Sequence, residues 1–242
     1  PCRLARGRAG DLMAPRYAVY FAPPAGGALW RCGSAWLGRD AGTGRSPARP
    51  AVAGFAPGRL DELTAEPRRY GFHGTLKPPM ALAPGRSEAD LLTACAGFAA
   101  SRTAFEAPPQ RLAALGGFLA LVPSAPSPEL DALAADCVRA FDALRAPPAA
   151  DELARRRASV LSERQHRYLR EWGYPYVMEE FRFHMTLTGR LDAADREPLK
   201  AALERLAAPL ATEPLPVDAI ALFVQHERGA PFRILARFPF RG

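Results

Sequence analysis

Gly71-Phe-His-Gly-Thr-Leu76 and Arg182-Phe-His-Met-Thr-Leu187 carry one pattern twice, F-H-x-T-L, once in each half of the chain. With four histidines and eight threonines in 242 residues, composition alone would put threonine two places after two histidines roughly one time in 150. The matching Phe and Leu flanks make chance a poorer account still. A spacing of two also has a geometric meaning, because successive side chains of a strand point to opposite faces. His73, Thr75 and Lys77 are then expected on one face, and Tyr70, Phe72 and Leu76 on the other. In the second copy Arg182, His184, Thr186 and Thr188 share a face opposite Phe181, Phe183 and Leu187. The apolar sets should pack a core while the polar sets line a surface.

The repetition extends outward from these strands. Tyr17-Ala-Val-Tyr-Phe-Ala-Pro23 and Phe118-Leu-Ala-Leu-Val-Pro123 each read as a strand running into a turn, and helix candidates follow at Ala28 to Leu37 and Pro128 to Leu144. After each histidine strand comes another helical stretch, Ser87 to Ser101 and Asp192 to Ala207, and then paired strands. These are Ala104 to Ala107 with Arg111 to Leu115, and Val217 to Gln225 with Phe232 to Phe238. The order β-α-β-α-β twice over predicts an α+β fold of two lobes with antiparallel sheets flanking a central groove. Residues 16–242 are expected to form a single bilobal catalytic domain, the first repeat covering about 16–116 and the second about 117–240. Residues 1–15 read as a disordered extension, Asp151 to Trp172 as an extra helix ending at Gly173, and Arg39 to Pro57 as a long loop.

Composition narrows the class. Hydrophobic residues make up 48% and charged residues 24%, which is ordinary globular usage and excludes a disordered or fibrous chain. Cys2, Cys32, Cys95 and Cys137 form no C-x-x-C pair, so neither a disulfide scaffold nor a zinc knuckle is indicated, and they read as reduced thiols. The longest uncharged stretch, Leu112 to Pro128, is interrupted by Gly116, Gly117, Pro123 and Pro126, so no membrane partner is expected. Arg3, Arg6 and Arg8 have no apolar run behind them, which argues against a secretory signal and makes the cytoplasm the default location. The net charge of +7 admits an anionic partner, although nearly all of it is arginine in an Ala-, Pro- and Gly-rich chain. Arg155-Arg156-Arg157, the densest basic run, reads as a solvated helix face.

Two imidazoles, two hydroxyls and two cations in one groove suit a phosphodiester. Displacement at phosphorus needs a base for the incoming oxygen, an acid for the departing one, and donors for the nonbridging oxygens. Imidazole, with an unperturbed pKa of about 6.5, can serve as either acid or base near neutrality. Threonine hydroxyls, with Lys77 and Arg182 nearby, can hold phosphoryl oxygens, and no metal or other cofactor is required.

Paired H-x-T motifs in a duplicated α+β chain resemble the two-histidine (2H) phosphoesterase superfamily, over nearly everything from Arg16 to Phe238. Arg69-Tyr-Gly-Phe-His-Gly-Thr-Leu-Lys-Pro-Pro79, Trp36-Leu-Gly-Arg-Asp40, Trp172-Gly-Tyr-Pro-Tyr-Val177 and Phe181-Arg-Phe-His-Met-Thr-Leu-Thr-Gly189 resemble its bacterial branch encoded with phosphonate-utilisation genes. The resemblance implies a 2H fold and metal-independent cleavage of cyclic or linear phosphodiesters. It carries over His73, Thr75, His184 and Thr186 as catalytic positions. It names no substrate; a small sugar-phosphate or nucleotide diester is the preferred expectation.

Tyr20, opposite Tyr17, Val19 and Phe21 on its strand, and Tyr176, just before the second motif, are further candidates for substrate contact, alongside packing roles. His166 and His226 have no repeat partner and read as surface residues, and no histidine or cysteine pair has zinc-ligand spacing. Two rival functions stay open: an enzyme processing RNA ends or 2′,3′-cyclic phosphate termini, and a non-catalytic protein binding a phosphate ligand or RNA. The oligomeric state is not legible.

Overall fold

The computed structural model describes residues 14–148, 160–208 and 212–241. Cys2, most of the expected N-terminal extension, the start of the expected 151–172 helix and the run Arg155-Arg156-Arg157 lie outside the described residues. The elements run β1 (Arg16–Phe21), α1 (Ala28–Leu37), α2 (Pro57–Leu63), α3 (Ala65–Tyr70), β2 (Gly74–Ala81), α4 (Glu88–Ala100), β3 (Phe105–Ala107), β4 (Gln110–Leu115), β5 (Phe118–Pro123) and α5 (Pro128–Ala140). Then follow α6 (Glu163–Trp172), β6 (Met185–Thr186), α7 (Ala193–Ala207), β7 (Leu215–Val217), β8 (Ala219–Gln225) and β9 (Arg233–Pro239). No helix among the described residues is long and apolar enough to cross a membrane.

Sequence reasons for these elements are local. Ser87 and Ser162 close capping boxes with Asp90 and Gln165 at the starts of α4 and α6, satisfying backbone N–H groups that have no partner within the helix. Gly38 and Gly173 end α1 and α6 in the left-handed conformation. β1 and β8 are apolar on both faces and buried on both. Tyr17, Val19, Phe21, Ile220, Leu222 and Val224 enter the main core, while Ala18, Tyr20, Ala221 and Phe223 enter a second cluster with Trp30 and Phe232. Helices α4 and α5 pack against this sheet, α5 over β2 and α4 over β8 and β9.

The strand order joins the two expected halves in one sheet. Seven antiparallel strands form one sheet in the order β4-β5-β6-β2-β1-β8-β9, and β3 pairs with β7 apart from it. A late strand of each sequence half pairs with the first strand of the other: β4 pairs with β5, and β8 with β1. Neither half therefore closes a sheet of its own. The histidine strands β2 and β6 are neighbours at the centre, and they pair at a single position, Gly74 with Met185. The second motif is also extended over fewer residues than expected, since β6 is only Met185–Thr186.

Side chains from each half fasten the other. The Trp36 indole in α1 donates to the Leu187 carbonyl at 2.8 Å, and the Phe183 ring lies over Gly74. Phe72 packs against Gly33 of α1, where no side chain would fit. Arg39 reaches the carbonyls of Arg68 and Phe232, and Asp40 accepts from Trp30 Nε1 and the amides of Gly42 and Thr43. Trp36-Leu-Gly-Arg-Asp40 thus acts as a clasp around the first histidine strand.

Candidate active site

Antiparallel pairing of Gly74 with Met185 sets Thr75 beside His184 and His73 beside Thr186, since the count runs oppositely along the two strands. Directly opposed residues share a face with Cα atoms roughly 4.5–5.5 Å apart. The four residues lie on the face away from Phe72, Phe183 and Met185, which are buried in the main core, and each lines one or both of two adjoining cavities.

Each imidazole is held in the same way. His73 Nδ1 is 2.9 Å from the Gly71 carbonyl, and His184 Nδ1 is 2.7 Å from the Arg182 carbonyl. A carbonyl oxygen only accepts, so both Nδ1 atoms carry hydrogen and both Nε2 atoms are the proton-exchanging positions. His73 Nε2 lies 3.2 Å from Thr75 Oγ1, whose hydroxyl can donate to it when the ring is neutral.

The two rings differ in their surroundings. His73 stacks on Tyr20, with centroids 3.8 Å apart and planes 23° from parallel, and Tyr70 and Phe223 lie near it. His184 has Phe118, tilted, at 5.7 Å. On β5 the residue paired to Thr186 is Ala120, where β1 pairs Tyr20 to Thr75, so the aromatic bed exists under one histidine alone. Burial pushes the His73 imidazole down to about 4; the Gly71 carbonyl offsets part of this, and His184 adds to it. Burial also lowers His184, against the opposing effect of the Arg182 carbonyl.

Two adjoining cavities open over this floor. One, of about 570 Å³, is lined by His73, Thr75 and Thr186 together with Arg16, Tyr70 and Arg190. The other, of about 410 Å³, is lined by His184, Phe118, Tyr174, Tyr176, Phe181 and Arg182 among others. Thr75, Pro78, Phe118 and Tyr174 border both. Pro78 and Pro79 face the opening because β6 has already ended, and a strand edge without a partner is where proline is tolerated.

Lys77 is a correction. It was expected beside Thr75, but β2 slips register against β1 between the pairs Tyr17–Met80, Val19–Lys77 and Tyr20–Thr75. The irregularity breaks the alternation after Thr75 and turns Lys77 inward, where it is 2% exposed. Its ammonium donates to the Val138 carbonyl at 2.9 Å and approaches Asp142 Oδ1 at 3.5 Å, and burial pushes its pKa down to about 8. It caps the end of α5 and does not reach the groove.

Other expectations fare variously. Arg182 precedes the short strand, and its guanidinium donates to the carbonyls of Glu179 and Phe181, on the wall of the smaller cavity. Tyr20 does lie on the groove side of β1, but it is 1% exposed and forms the bed under His73. Tyr176 is exposed on the cavity wall. Thr188 is buried, its hydroxyl accepting from the Leu119 amide. Tyr70, expected to point into the core with Phe72, ends α3 and lines the groove, and His226 is exposed. His166 is half-buried on α6, and Cys32, Cys95 and Cys137 are free thiols. Arg16, Arg190, Phe118 and Tyr174 were not foreseen. They come from four separate segments and carry no shared motif.

Residues 75–233 match a family model described as a protein of unknown function, DUF1045. Two curated relatives, from Janthinobacterium sp. strain Marseille and Laribacter hongkongensis strain HLHK9, are each 42% identical, over 94% and 90% of this chain. Both are named ribose 1,5-bisphosphate phosphokinase PhnN, and the chain spans about half the length of each, 51% and 50%. A solved phosphoesterase aligns over 95% of this chain and 99% of its own, at 16% identity and a TM-score of 0.41. Escherichia coli LigT complexed with NADP+ aligns over the same shares at 14% and 0.39.

Proposed function

The chain belongs to the DUF1045 family, and from its paired His/Thr floor we propose that this member is a metal-independent phosphodiesterase of the two-histidine type with a duplicated 2H fold. Its substrate would be a cyclic or small diester of a sugar phosphate or nucleotide. The observation that carries the reading is the equivalent mounting of two imidazoles, each with Nδ1 on a carbonyl two residues upstream and Nε2 left for proton exchange. Structural histidines in a core would have no reason to share one mounting and one face with two threonines.

In the proposed reaction His73, held neutral by burial and stacked on Tyr20, takes a proton from water at Nε2 as the water oxygen bonds to phosphorus. The bond from phosphorus to the departing oxygen breaks, and that oxygen receives the proton from His184 Nε2. Thr75 and Thr186 donate to the nonbridging oxygens as charge builds there. Afterwards His73 is protonated and His184 neutral, and exchange with solvent resets the pair. Tyr20 acts through His73 and is a positioning residue.

The relatives' kinase name is not carried over. The chain spans half their length, and neither Lys77 nor Lys200 follows a glycine-rich phosphate loop. Their named substrate nonetheless makes a ribosyl phosphate a reasonable product class for a diesterase related to part of them.

Turnover of 2′,3′-cyclic nucleotides and of a base-free ribose cyclic phosphate, measured after exhaustive chelation, tests the reading directly. Activity should persist without an added divalent ion, because histidine and threonine fill every role. Loss in chelator with restoration by zinc or manganese would replace the mechanism with a metal-dependent one.

The pH dependence has a defined sign. The base must be unprotonated, so kcat/KM should fall as pH drops through the His73 value of about 4. The acid must be protonated, so it should also fall as pH rises through the His184 value, which lies below the usual 6.5. The maximum is therefore expected on the acid side of neutrality. An anionic substrate stabilises both imidazolium forms, so the kcat profile should lie at higher pH. A kcat/KM flat from pH 4 to 9 would exclude the histidine pair as acid and base.

A further inference from the structure

Lys77 stands two residues beyond Thr75 on β2, and the proposed reaction leaves it unused. A buried ammonium is costly unless it is paired, so its partners show what it holds. It donates to the Val138 carbonyl in the last turn of α5 and reaches Asp142 Oδ1 at 3.5 Å. Asp142 in turn accepts from Arg145, from Nε at 2.8 Å and from Nη2 at 3.4 Å. The same Nη2 donates to the Glu171 carbonyl at 3.2 Å, in the last turn of α6. The guanidinium lies so close to Gly173 that a Cβ there would stand 2.9 Å from Nη1. Gly173 leads into Tyr174, a residue that borders both cavities.

We propose that Lys77 is a positioning residue, holding the 173–176 segment in place over the groove through Asp142 and Arg145. This deepens the phosphodiesterase reading, on which its kinetic consequence rests, by adding a group that shapes the groove without touching substrate.

Two further observations point the same way. Val138, whose carbonyl Lys77 binds, packs its side chain with Tyr168 of α6 and with Val177, and Trp172, Tyr174 and Met178 close around them. These residues make a unit of α5, α6 and the groove wall, set apart from the main core. The Ala83 amide also donates to the Leu144 carbonyl, and the Ala146 amide to the Ala81 carbonyl, each at 2.9 Å. Those bonds tie the Arg145 segment to the far end of β2, and the Lys77 ammonium ties it nearer Thr75.

A charge at this point makes the tie depend on a proton. Burial pushes the Lys77 ammonium down to about 8; Asp142 offsets part of this and Arg145 adds to it. β1 sets Val19 opposite Lys77, and α5 brings Cys137, whose thiol burial holds far above its ordinary value, so that it stays neutral through this range. Loss of the lysine proton removes the attraction to Asp142, leaves that carboxylate to Arg145 alone, and loosens the wall.

Trp172, between Glu171 and Gly173, reports on the segment, and the test follows tryptophan emission of the full chain from about pH 6.5 to about pH 9.5. A one-proton step centred near 8 is expected. It should vanish in Lys77→Met and in Trp172→Phe, and move to lower pH in Asp142→Asn, which deletes the charge that favours the ammonium. In the kinetic arm, on whichever cyclic diester the wild type turns over, Lys77→Met should raise KM about ten-fold and leave kcat within about two-fold, the pattern of lost uniform binding. If Lys77→Met does not fold, the shift in Asp142→Asn decides. A flat wild-type emission, a step that survives in Lys77→Met, or one unmoved in Asp142→Asn overturns the assignment. So does a fall in kcat with KM unchanged, which would mean that Lys77 only braces the Thr75 strand. The expected emission changes without hydrolysis of any diester remove the phosphodiesterase reading and leave the tie. Hydrolysis with flat emission removes the tie alone.

Discussion

Replacing His73 or His184 by alanine is expected to lower kcat by about 10²- to 10⁴-fold, the usual effect of deleting a group that transfers a proton in the transition state. Both rings sit on the groove face, outside the main core, so the variants should still unfold in one cooperative transition. The double variant should lose much less than the product of the two single effects, because acid and base serve one transition state. Thr75→Val and Thr186→Val keep the shape and remove a donor, so smaller losses are expected. Steady-state kinetics on whichever cyclic diester the wild type turns over provides the measurement. A double variant with wild-type turnover at equal purity would show that the repeated motif is structural.

Gly74→Ala should be almost as damaging without touching a reactive group. A Cβ there would lie 2.6 Å from Cε2 and 2.7 Å from Cζ of Phe183, far inside van der Waals contact. The ring cannot step aside, being 5% exposed and set edge-on against Phe21 at 5.8 Å. Relief must come from the backbone, at the one position where β2 and β6 are paired. Overpacking of this kind costs about 1–3 kcal/mol of stability. The same movement separates His73 and Thr75 from His184 and Thr186, and a misplacement of about 1 Å is enough for a loss near 10²-fold. Denaturant titration and kcat should therefore fall together. Gly97→Ala in α4 is the control, since a Cβ there meets nothing within 4 Å and the helix should gain about 0.5–1 kcal/mol. Wild-type stability and turnover in Gly74→Ala would mean that the strands are less tightly coupled than their packing implies.

The four central residues were legible because their signal is local and repeated. Alternation along a strand is a short-range rule, and it holds from Phe72 to Leu76. It fails one residue later, at Lys77, because the slip against β1 depends on a partner strand that the local pattern does not contain. Pro78-Pro79 was the available warning, since a central strand without two of its N–H groups must bulge or lose a neighbour. Arg182 lines the smaller cavity, but it lies before its strand has begun, so strand alternation is not what puts it there. Helices α2 and α3 went unread because each is under eight residues and contains proline, too short for an apolar period to register. The alternating order of strands and helices was visible, but the exchange of β4 and β8 between the halves was not, because hairpin-like neighbours in sequence are the default and pairing over long separations leaves no local trace.

That exchange dictates when this sheet can close. β1 lies between β2 and β8, and its first residue, Arg16, pairs with Gln225, 209 positions later. During synthesis β1 can find β2 early, yet its other edge stays an open row of amides and carbonyls until β8 has left the ribosome. An exposed, largely apolar strand of that kind is a template for pairing between nascent chains. Contacts so distant in sequence also slow the final closure, since a long loop must be ordered before any pairing stabilises it. The arrangement that sets two histidines side by side thus makes closure of the sheet wait for β8, so the yield of folded chain should depend on how soon β8 and β9 are translated after β1.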